Sequence, residues 1–309
     1  MPLISVLDLS MQFGSQRALD GLKFDVYSGV TGLVGANGAG KTTFMSLVLG
    51  LRSPTSGSLT VLGMDPIKDG SKLRSMVSYG PERNVLPDDM PAIDFVKHFS
   101  EVRGMPRKEA KGRASDVLWL VGLGEERFRP LGTMSTGQRQ RVKLAQAISA
   151  DPKLVLLDEP TDGLDPIARD EILDLIRQIG SEYEINVILS SHLMEEVERI
   201  CDNIIVLDAG ELVTAGPLQT LTGDTGRLEV EFIEIDERPE AITQVAESLR
   251  AAGVDVIQNT ENQVLQLTSE DGEILANLLR DAIADSGGRV HRIELGRRSL
   301  EDLFEDSEP

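Results

Sequence analysis

VTGLVGANGAGKTT, residues 30–43, is the stretch that decides the fold of this chain. Its apolar first half predicts a buried strand, and glycines then break the pattern in a tight turn. A helix is predicted to begin at Lys41, because apolar residues recur after it at helical spacing, namely Phe44, Leu47, Val48 and Leu51. A strand, a glycine-rich turn and a helix in this order indicate an α/β domain.

The glycine-rich turn also satisfies the pattern G-x-x-x-x-G-K-[ST]. Glycines let backbone N–H groups close around a phosphate at the helix N-terminus, while Lys41 carries a positive charge to the β- and γ-phosphates. The Thr42 hydroxyl is a ligand for Mg²⁺ in such a site. An ordinary glycine turn is disfavoured by the strand before it and the helix after it. The predicted nucleotide-binding residues are Gly35, Asn37, Gly38, Ala39, Gly40, Lys41, Thr42 and Thr43.

A second motif ends another apolar run. Leu154–Leu157 reads as a buried strand and is followed directly by Asp158 and Glu159. A Mg²⁺ ion at a phosphate site needs a carboxylate at the end of a neighbouring buried strand. We expect Asp158 to hold that metal and Glu159 to polarise the attacking water as a general base. Alone, such a run is often only a strand leaving the core; with the first motif it predicts an NTPase.

Composition limits the partners of the chain. Its 309 residues are enough for one large or two ordinary domains, and its formal net charge is −20. So acidic a surface argues against nucleic acid or anionic lipid as a general partner. No apolar run approaches the roughly 18 residues that would span a bilayer, and the single cysteine, Cys201, permits no internal disulfide. We therefore expect a soluble protein of the cytoplasm.

The end of the chain has a different rhythm. From residue 223 onward, 21 acidic residues face eight arginines and no lysine, which accounts for −13 of the net charge. Strand and helix patterns there follow the order βαββαβ, which favours a small α+β ferredoxin-like sandwich, closed by a terminal helix at residues 299–304. The sequence thus predicts an α/β domain at residues 1–222 and an accessory α+β domain at residues 223–309.

Between the two motifs, residues 134–138 read Met-Ser-Thr-Gly-Gln and precede a basic, helical stretch. This segment resembles the LSGGQ signature of ATP-binding cassette (ABC) proteins. Phe13 resembles the aromatic residue of their A-loop, which stacks on adenine, and Glu82 lies at the position of the Q-loop. Asp165, in GLDP, matches the D-loop, and His192, in ILSSH, matches the switch histidine that contacts the γ-phosphate. Each element is weak alone, but their shared order indicates an ABC ATPase.

The resemblance covers residues 1–221 and implies a P-loop NTPase of the ABC cassette type. Such a cassette has a mixed sheet at its core and a helical subdomain, here at about residues 83–150. The cofactors implied are ATP and Mg²⁺. The residues assigned to the metal are Thr42, Glu82 and Asp158, and those assigned to catalysis are Glu82, Glu159 and His192.

The signature segment also implies a partner. Ser135 and the N–H groups at the helix start form an anion site that is too far along the fold to reach the phosphate loop of the same chain. In the family, this segment completes the site of a second subunit. The resemblance therefore implies a head-to-tail pair of two copies with two ATP molecules between them. The residues that act in trans would be Ser135, Thr136, Gly137, Gln138 and Asp165.

Three residues depart from the family pattern. Glu82 replaces the usual glutamine of the Q-loop, Met134 replaces the leucine of the signature, and Thr136 replaces its first glycine. A glutamate can still contact Mg²⁺ or water, and it is familiar in the export branch for drugs, polymers and ions. The ending RRSLEDLFEDSEP resembles the S-L-E-D-x-F ending of that same branch, whose members carry a small accessory domain.

These features predict an ATPase that drives export through a separate transmembrane permease subunit. The chain would be attached peripherally to the cytoplasmic face of the cell membrane, with its docking groove at about residues 82–110. Exposed apolar side chains predicted to line the groove, or alternatively to be ordinary helical core, are Val85, Leu86, Met90, Ile93 and Phe95.

Two soluble alternatives stay open at this point. ABC proteins of ribosomes or DNA typically carry two cassettes or a long coiled coil, together with basic surfaces. This chain has one cassette, a short insert and a strong negative charge, so no nucleic-acid partner is expected. The other alternative is a soluble ABC ATPase with a non-transport regulatory role.

Overall fold

The computed structural model describes residues 2–82, 86–222, 224–232, 241–259, 263–268, 272–287 and 289–297, together with Leu300. The chain divides into two compact units, Met1–Gln219 and Thr220–Pro309. No helix among the described residues is long and apolar enough to cross a membrane.

The first unit contains two sheets. The smaller one is antiparallel and consists of β1 (Ile4–Phe13), β2 (Gln16–Val26) and β4 (Ser56–Val61), in the order β2-β1-β4. The larger sheet has six strands, which are β3 (Val30–Val34), β5 (Val77–Gly80), β6 (Leu154–Leu157), β7 (Asn186–Ser191), β8 (Asn203–Asp208) and β9 (Glu211–Pro217).

The order in the larger sheet is β5-β6-β7-β3-β8-β9. Its first five strands run parallel and only β9 is antiparallel, which makes the sheet mixed, as predicted. The parallel strands β3 and β6 are buried along their whole length, because both faces of the sheet are covered.

Helix α1 (Lys41–Val48) lies in the core that the two sheets share. It begins at the predicted residue and buries Phe44, Met45, Leu47 and Val48. The ring of Phe44 lies 5.5 Å from that of Phe24 on β2. Burial of this apolar face fixes α1, and with it the glycine-rich turn, against the end of β3.

The predicted helical insert is confirmed. After α2 (Gly70–Met76) and β5, the chain forms α3 (Ala92–Val102), α4 (Arg107–Leu120) and α5 (Thr136–Ile148), with single 3₁₀ turns at Glu125–Phe128 and Leu131–Thr133. Helices α6 (Pro166–Glu182), α7 (Met194–Ile200) and α8 (Leu218–Leu221) alternate with the strands that follow.

The prediction of an exposed apolar stripe near the start of this insert is wrong for three of its residues. Leu86, Ile93 and Phe95 are all less than 9% exposed, and the last two belong to the buried face of α3, which packs on α4 and α5. The ring of Phe95 also packs 4.9 Å from that of Phe99. Met90 is 36% exposed, and Val85 lies outside the described residues.

The second unit has the predicted element order. Its elements are β10 (Asp224–Phe232), α9 (Ala241–Ala251), β11 (Asp255–Asn259), β12 (Val264–Thr268), α10 (Gly272–Ser286) and β13 (Val290–Arg297). The four strands pair antiparallel in the order β11-β12-β10-β13, so the two strands that flank α9 are separated by β12. Apolar side chains of both helices and of the sheet form a separate core. The terminal helix predicted at residues 299–304 lies outside the described residues except for Leu300, which is buried.

Candidate functional site

Four neighbouring strands end at one edge of the six-stranded sheet. The parallel strands β5, β6, β7 and β3 are adjacent in that order, so their carboxyl ends lie side by side. Each of these ends leads into residues that the sequence marked for function: Glu82 after β5, Asp158 and Glu159 after β6, His192 after β7, and residues 35–41 after β3. Ligand sites of α/β sheets form at such carboxyl edges.

The glycine-rich turn is closed by tight backbone packing. Gly40 caps α1 with a φ of 105°, and a Cβ atom there would lie 2.8 Å from the carbonyl oxygen of Ala18. Only glycine fits such a position without strain. Lys41 is buried, and its ammonium donates a hydrogen bond of 2.5 Å to the carbonyl of Gly35. The turn and the lysine therefore form one folded loop at the N-terminus of α1.

Asp158 is held by three hydroxyl groups. Its Oδ2 accepts hydrogen bonds from Thr42 Oγ1 and from the Tyr79 hydroxyl, both at 3.1 Å, and its Oδ1 accepts one from Ser190 Oγ at 2.7 Å. Burial and the neighbouring Asp158 carboxylate raise the pKa of Tyr79 well above its usual range. Tyr79 therefore stays a neutral donor, and the carboxylate of Asp158 has a fixed orientation beside Thr42.

Glu159 connects the phosphate loop with His192. Its Oε1 lies 3.2 Å from Lys41 Nζ, and its Oε2 lies 2.9 Å from His192 Nδ1. The backbone of Glu159 has a φ of 45°, an unusual value for a residue with a side chain, and its N–H donates to Ser190 Oγ at 2.8 Å. The strained turn thus directs a carboxylate between an ammonium and an imidazole.

A cleft of about 290 Å³ opens at this edge. It is lined by Phe13, Gln16, Arg17, Ala18, Ala36, Asn37, Gly38, Gly40, Lys41, Thr42, Thr43, Glu82, Asp158 and Glu159. Phe13 is 38% exposed, and the Arg52 guanidinium lies over its ring, 4.9 Å from the centroid.

The cleft brings together a hydroxyl and two carboxylates, from Thr42, Asp158 and Glu82. Among the residues that the structure describes, no group of three or more acidic, histidine or cysteine side chains could hold a metal alone. A set of few oxygen ligands suits Mg²⁺, which is usually bound by one or two carboxylates together with substrate phosphates. The donors present therefore fit a Mg²⁺ ion that arrives with a nucleotide.

The chain is similar to known proteins. The ABC transporter family model matches residues 19–162. The linearmycin resistance ATP-binding protein LnrL of Bacillus subtilis (strain 168) is 30% identical over 303 residues, which cover 98% of this chain and 97% of LnrL. The bacitracin transport ATP-binding protein BcrA of Bacillus licheniformis is also 30% identical over 303 residues, with 98% and 96% covered.

The chain belongs to the ABC transporter family. Among solved structures, cbiO1 from Clostridium perfringens, part of the ABC transporter complex cbiONQ, is similar with a TM-score of 0.65 at 25% identity, over 82% of this chain and 97% of that one. This ABC ATPase is thus the ATP-binding and ATP-hydrolysing subunit of a transporter.

The signature segment of this ABC ATPase lies apart from the cleft. Ser135 caps α5: its side chain accepts from the N–H of Gln138 at 3.2 Å, and the Gln138 side chain accepts from the N–H of Ser135 at 3.1 Å. Ser135 and Thr136 are exposed, whereas Gly137 and Gln138 are half-buried. Asp165 is exposed and caps α6 through a 3.0 Å bond from the N–H of Ala168. None of these five residues lines the cleft of its own chain.

Glu82 lines the cleft, and its main chain is held by α5, the helix that follows the signature segment. Lys143 on α5 donates a 3.0 Å hydrogen bond to the carbonyl of Glu82. Burial lowers the pKa of Lys143, while the carboxylates of Glu82 and Asp162 act in the opposite direction. Helix α5, which Ser135 caps, is therefore hydrogen-bonded directly to Glu82, one of the three residues that depart from the family pattern.

Sequence reasoning did not identify three residues that hold the site. Tyr79 and Ser190 fix Asp158, and Lys143 fixes the main chain of Glu82. Tyr79 and Ser190 lie close to predicted site residues, Glu82 and His192, at the ends of their strands. A polar residue in an otherwise apolar buried strand is the signal that could have found Ser190, which is fully buried.

Proposed function

We propose that this ABC ATPase energises export, that two copies close head to tail on two ATP molecules, and that the pair docks on a separate membrane-spanning permease. The observation that carries the proposal is the division of the site. Lys41, Asp158 and Glu159 line the cleft, while Ser135 and Asp165 are exposed outside it. A second copy of the chain would bring its own Ser135 and Asp165 to the cleft and so complete the site.

On the phosphate side, residues 35–43 would bind the phosphates through backbone N–H groups, and Lys41 would exchange its contacts with Gly35 and Glu159 for phosphate oxygens. Thr42, Asp158 and Glu82 would hold Mg²⁺, which supplies charge neutralisation between phosphate oxygens when bound. Phe13, at the rim of the cleft, would stack on adenine.

Glu159 and His192 would act on the attacking water. The carboxylate of Glu159 is 11% exposed, and its position between Lys41 and His192 directs it toward the phosphate loop. Glu159 would accept the proton of the water, and His192 would hold the Glu159 carboxylate and contact the γ-phosphate. Ser190 accepts a hydrogen bond from the N–H of Glu159 and donates one to Asp158, and these two bonds keep the backbone of Glu159 in its strained turn.

In the pair, Ser135, Thr136, Gly137 and Gln138 would present the start of α5 to the γ-phosphate bound by the partner copy. A helix start has free N–H groups and a partial positive charge, which favour an anion. Asp165 would lie on the same interface. Binding of ATP would favour the closed pair and hydrolysis would release it, which gives the permease two states to respond to.

The names of relatives support a transport role and favour it over a soluble regulatory one. LnrL is named for linearmycin resistance and BcrA for bacitracin transport, and both match nearly the whole chain, including its second unit. We propose that this ABC ATPase likewise exports its cargo from the cytoplasmic face of the cell membrane, as a peripheral subunit bound to a permease. Affinity purification from detergent-solubilised membranes of the native host should recover a protein with several apolar spans; recovery of ribosomes without such a protein would contradict the proposal.

The decisive experiment is Glu159→Gln. This change keeps the size of the side chain but removes the base, so hydrolysis should fall about 100-fold or more while ATP still binds. With ATP and Mg²⁺, the variant should elute from a sizing column as a dimer. Glu125→Gln, on an exposed 3₁₀ turn, is the matched control and should behave as the unmodified protein. Unchanged hydrolysis in E159Q, or a monomer at saturating ATP, would overturn the assignment.

A further inference from the structure

A further buried carboxylate lies outside the cleft. Glu196 on α7 is only 3% exposed, and its Oε2 accepts hydrogen bonds from Ser191 Oγ at 2.7 Å and from Thr161 Oγ1 at 3.0 Å. Its Oε1 lies 3.4 Å from Nε of Arg169. Burial of a charge is costly unless partners compensate it, so three partners around one carboxylate mark a built arrangement.

The partners of Glu196 belong to two functional segments. Thr161 and Arg169 lie on either side of Asp165, which caps α6 and would act on the partner copy. Ser191 is the last residue of β7 and directly precedes His192. One carboxylate therefore connects the segment that carries Asp165 with the segment that carries His192.

The connection to His192 is a chain of hydrogen bonds. The Ser191 hydroxyl donates to Glu196 and accepts a 3.0 Å bond from the N–H of Leu193, so it holds the backbone on both sides of His192. Ser190, on the opposite face of β7, bonds to Asp158 and to the N–H of Glu159. Consecutive serines thus fix the end of β7 from both faces, and Glu196 is the acceptor on one of them.

The connection to α6 contains fewer hydrogen bonds. In the described part of the chain, Glu196 Oε1 and Arg169 Nε have no hydrogen-bond partner, although they face each other across 3.4 Å. The two atoms are within ion-pair distance, but the N–H of Arg169 is not aligned with Glu196 Oε1 as a hydrogen bond requires. Buried polar groups are nearly always satisfied in folded proteins, so a displacement of the Asp165 segment that aligned this pair would be favoured.

We propose that Glu196 is a positioning residue for ATP hydrolysis, which couples the orientation of His192 to the position of the Asp165 segment. The inference rests on the proposed function, because it assigns consequences to the catalytic pair Glu159 and His192. Glu196 does not line the cleft, so its effect is expected on the rate of the chemical step and not on the capture of ATP.

The test compares Glu196→Ala with Glu195→Ala in the full chain. Glu195 precedes Glu196 on the same helix but is exposed, so it is a matched control. We expect E196A to lower kcat about tenfold while KM for ATP stays within about twofold, and E195A to change neither. Glu196→Gln keeps an acceptor for both hydroxyls and should retain kcat within about threefold of the unmodified protein.

A second readout follows the imidazoles. The chain has three histidines, His98, His192 and His291, so their ring signals can be assigned by NMR with single substitutions. E196A should shift the signals of His192 and leave those of His98 and His291 in place. A merely structural role would lower the melting temperature without a selective change at His192. If E196A does not fold, Ser191→Ala and Thr161→Val each remove one of the hydroxyls and should give smaller changes of the same kind.

The outcomes separate this inference from the proposed function. If E159Q abolishes hydrolysis but E196A leaves both kcat and the His192 signals unchanged, the role of Glu196 is refuted and the proposed function stands. If E159Q hydrolyses ATP at the rate of the unmodified protein, the proposed function is refuted, whatever the result for E196A. An equal loss of activity in E195A and E196A would also refute the inference, since an exposed neighbour has no such contacts.

Discussion

The two halves of the ATP site are built in opposite ways. On the phosphate side, Lys41, Asp158, Glu159 and His192 follow three different strand ends, and hydrogen bonds and ion pairs hold these ends together. On the signature side, the exposed Ser135 is held by a capping box within its own helix. The first half is preorganised by tertiary contacts, whereas the hydrogen bonds that cap the second half are local to its own helix.

The difference teaches where substitutions should act. A change on the phosphate side breaks contacts among buried groups, so it should alter hydrolysis and the stability of a single copy together. A change on the signature side touches only one helix start, so it should leave ATP binding by a single copy intact. Its effect on hydrolysis should appear only where two copies meet.

Lys41→Met should have the largest effect, because methionine keeps the length of the side chain without its charge. The side chain of Lys41 is 7% exposed, and its ammonium contacts both Gly35 and Glu159. We expect kcat/KM for ATP to fall on the order of 100- to 1,000-fold, since a charge directed at phosphate oxygens is removed. Steady-state ATPase assays measure kcat and KM, and binding of a fluorescent ATP analogue measures the affinity for the nucleotide. Lys68→Met, at a well-exposed ion pair with Asp65, is the control and should leave both unchanged.

Ser135→Ala tests the other half. We expect hydrolysis to fall about tenfold at saturating ATP, while the Kd of a single copy for ATP stays the same. Loss of the N-cap should also lower the free energy of unfolding by about 1 kcal/mol. Ser135→Asn keeps a good N-cap and should recover that stability without recovering hydrolysis. Weaker ATP binding by monomeric S135A would contradict the division of the site into two halves.

The phosphate side could be predicted from the sequence because its residues follow recognisable local patterns. A glycine-rich turn before Lys41 and an apolar run before Asp158 each give one strand end, and parallel strands end at a common edge. The identity of the supporting residues could not be predicted in the same way. Tyr79 reaches Asp158 only because β5 lies beside β6, and periodicity along one strand does not say which strand is its neighbour.

The helical insert shows a second limit of sequence reasoning. A set of apolar residues on a helix, such as the set that includes Ile93 and Phe95 of α3, gives the same sequence pattern whether it faces the core or a partner. In the structure these two residues are core. Strands β4, β5, β8 and β9 were not predicted from the sequence, since runs of four to seven residues with little alternation carry a weak signal.

Tyr79→Phe returns to the phosphate side and asks how much support Asp158 needs. The change removes one of three hydroxyl donors to Asp158 and leaves Thr42 and Ser190 in place. We expect kcat to fall about three- to fivefold and the free energy of unfolding to fall by about 1 kcal/mol. The chain has three tyrosines, and Tyr183→Phe, at a half-exposed ring, is the control. An effect of Mg²⁺ concentration on kcat in Y79F alone would locate the defect at the metal.

Thr136→Gly should have the smallest effect, because it restores the family residue at an exposed position that holds no other element. Thr136 is the first residue of α5, where glycine costs up to about 1 kcal/mol of helix stability. If the threonine side chain hinders closure of the two copies, T136G in the E159Q background should form the ATP-bound dimer at a lower protein concentration, by about threefold or less. A weaker dimer in T136G would mean instead that the threonine contributes to the interface, and the exposed half of the site would then depend on more than the start of its own helix.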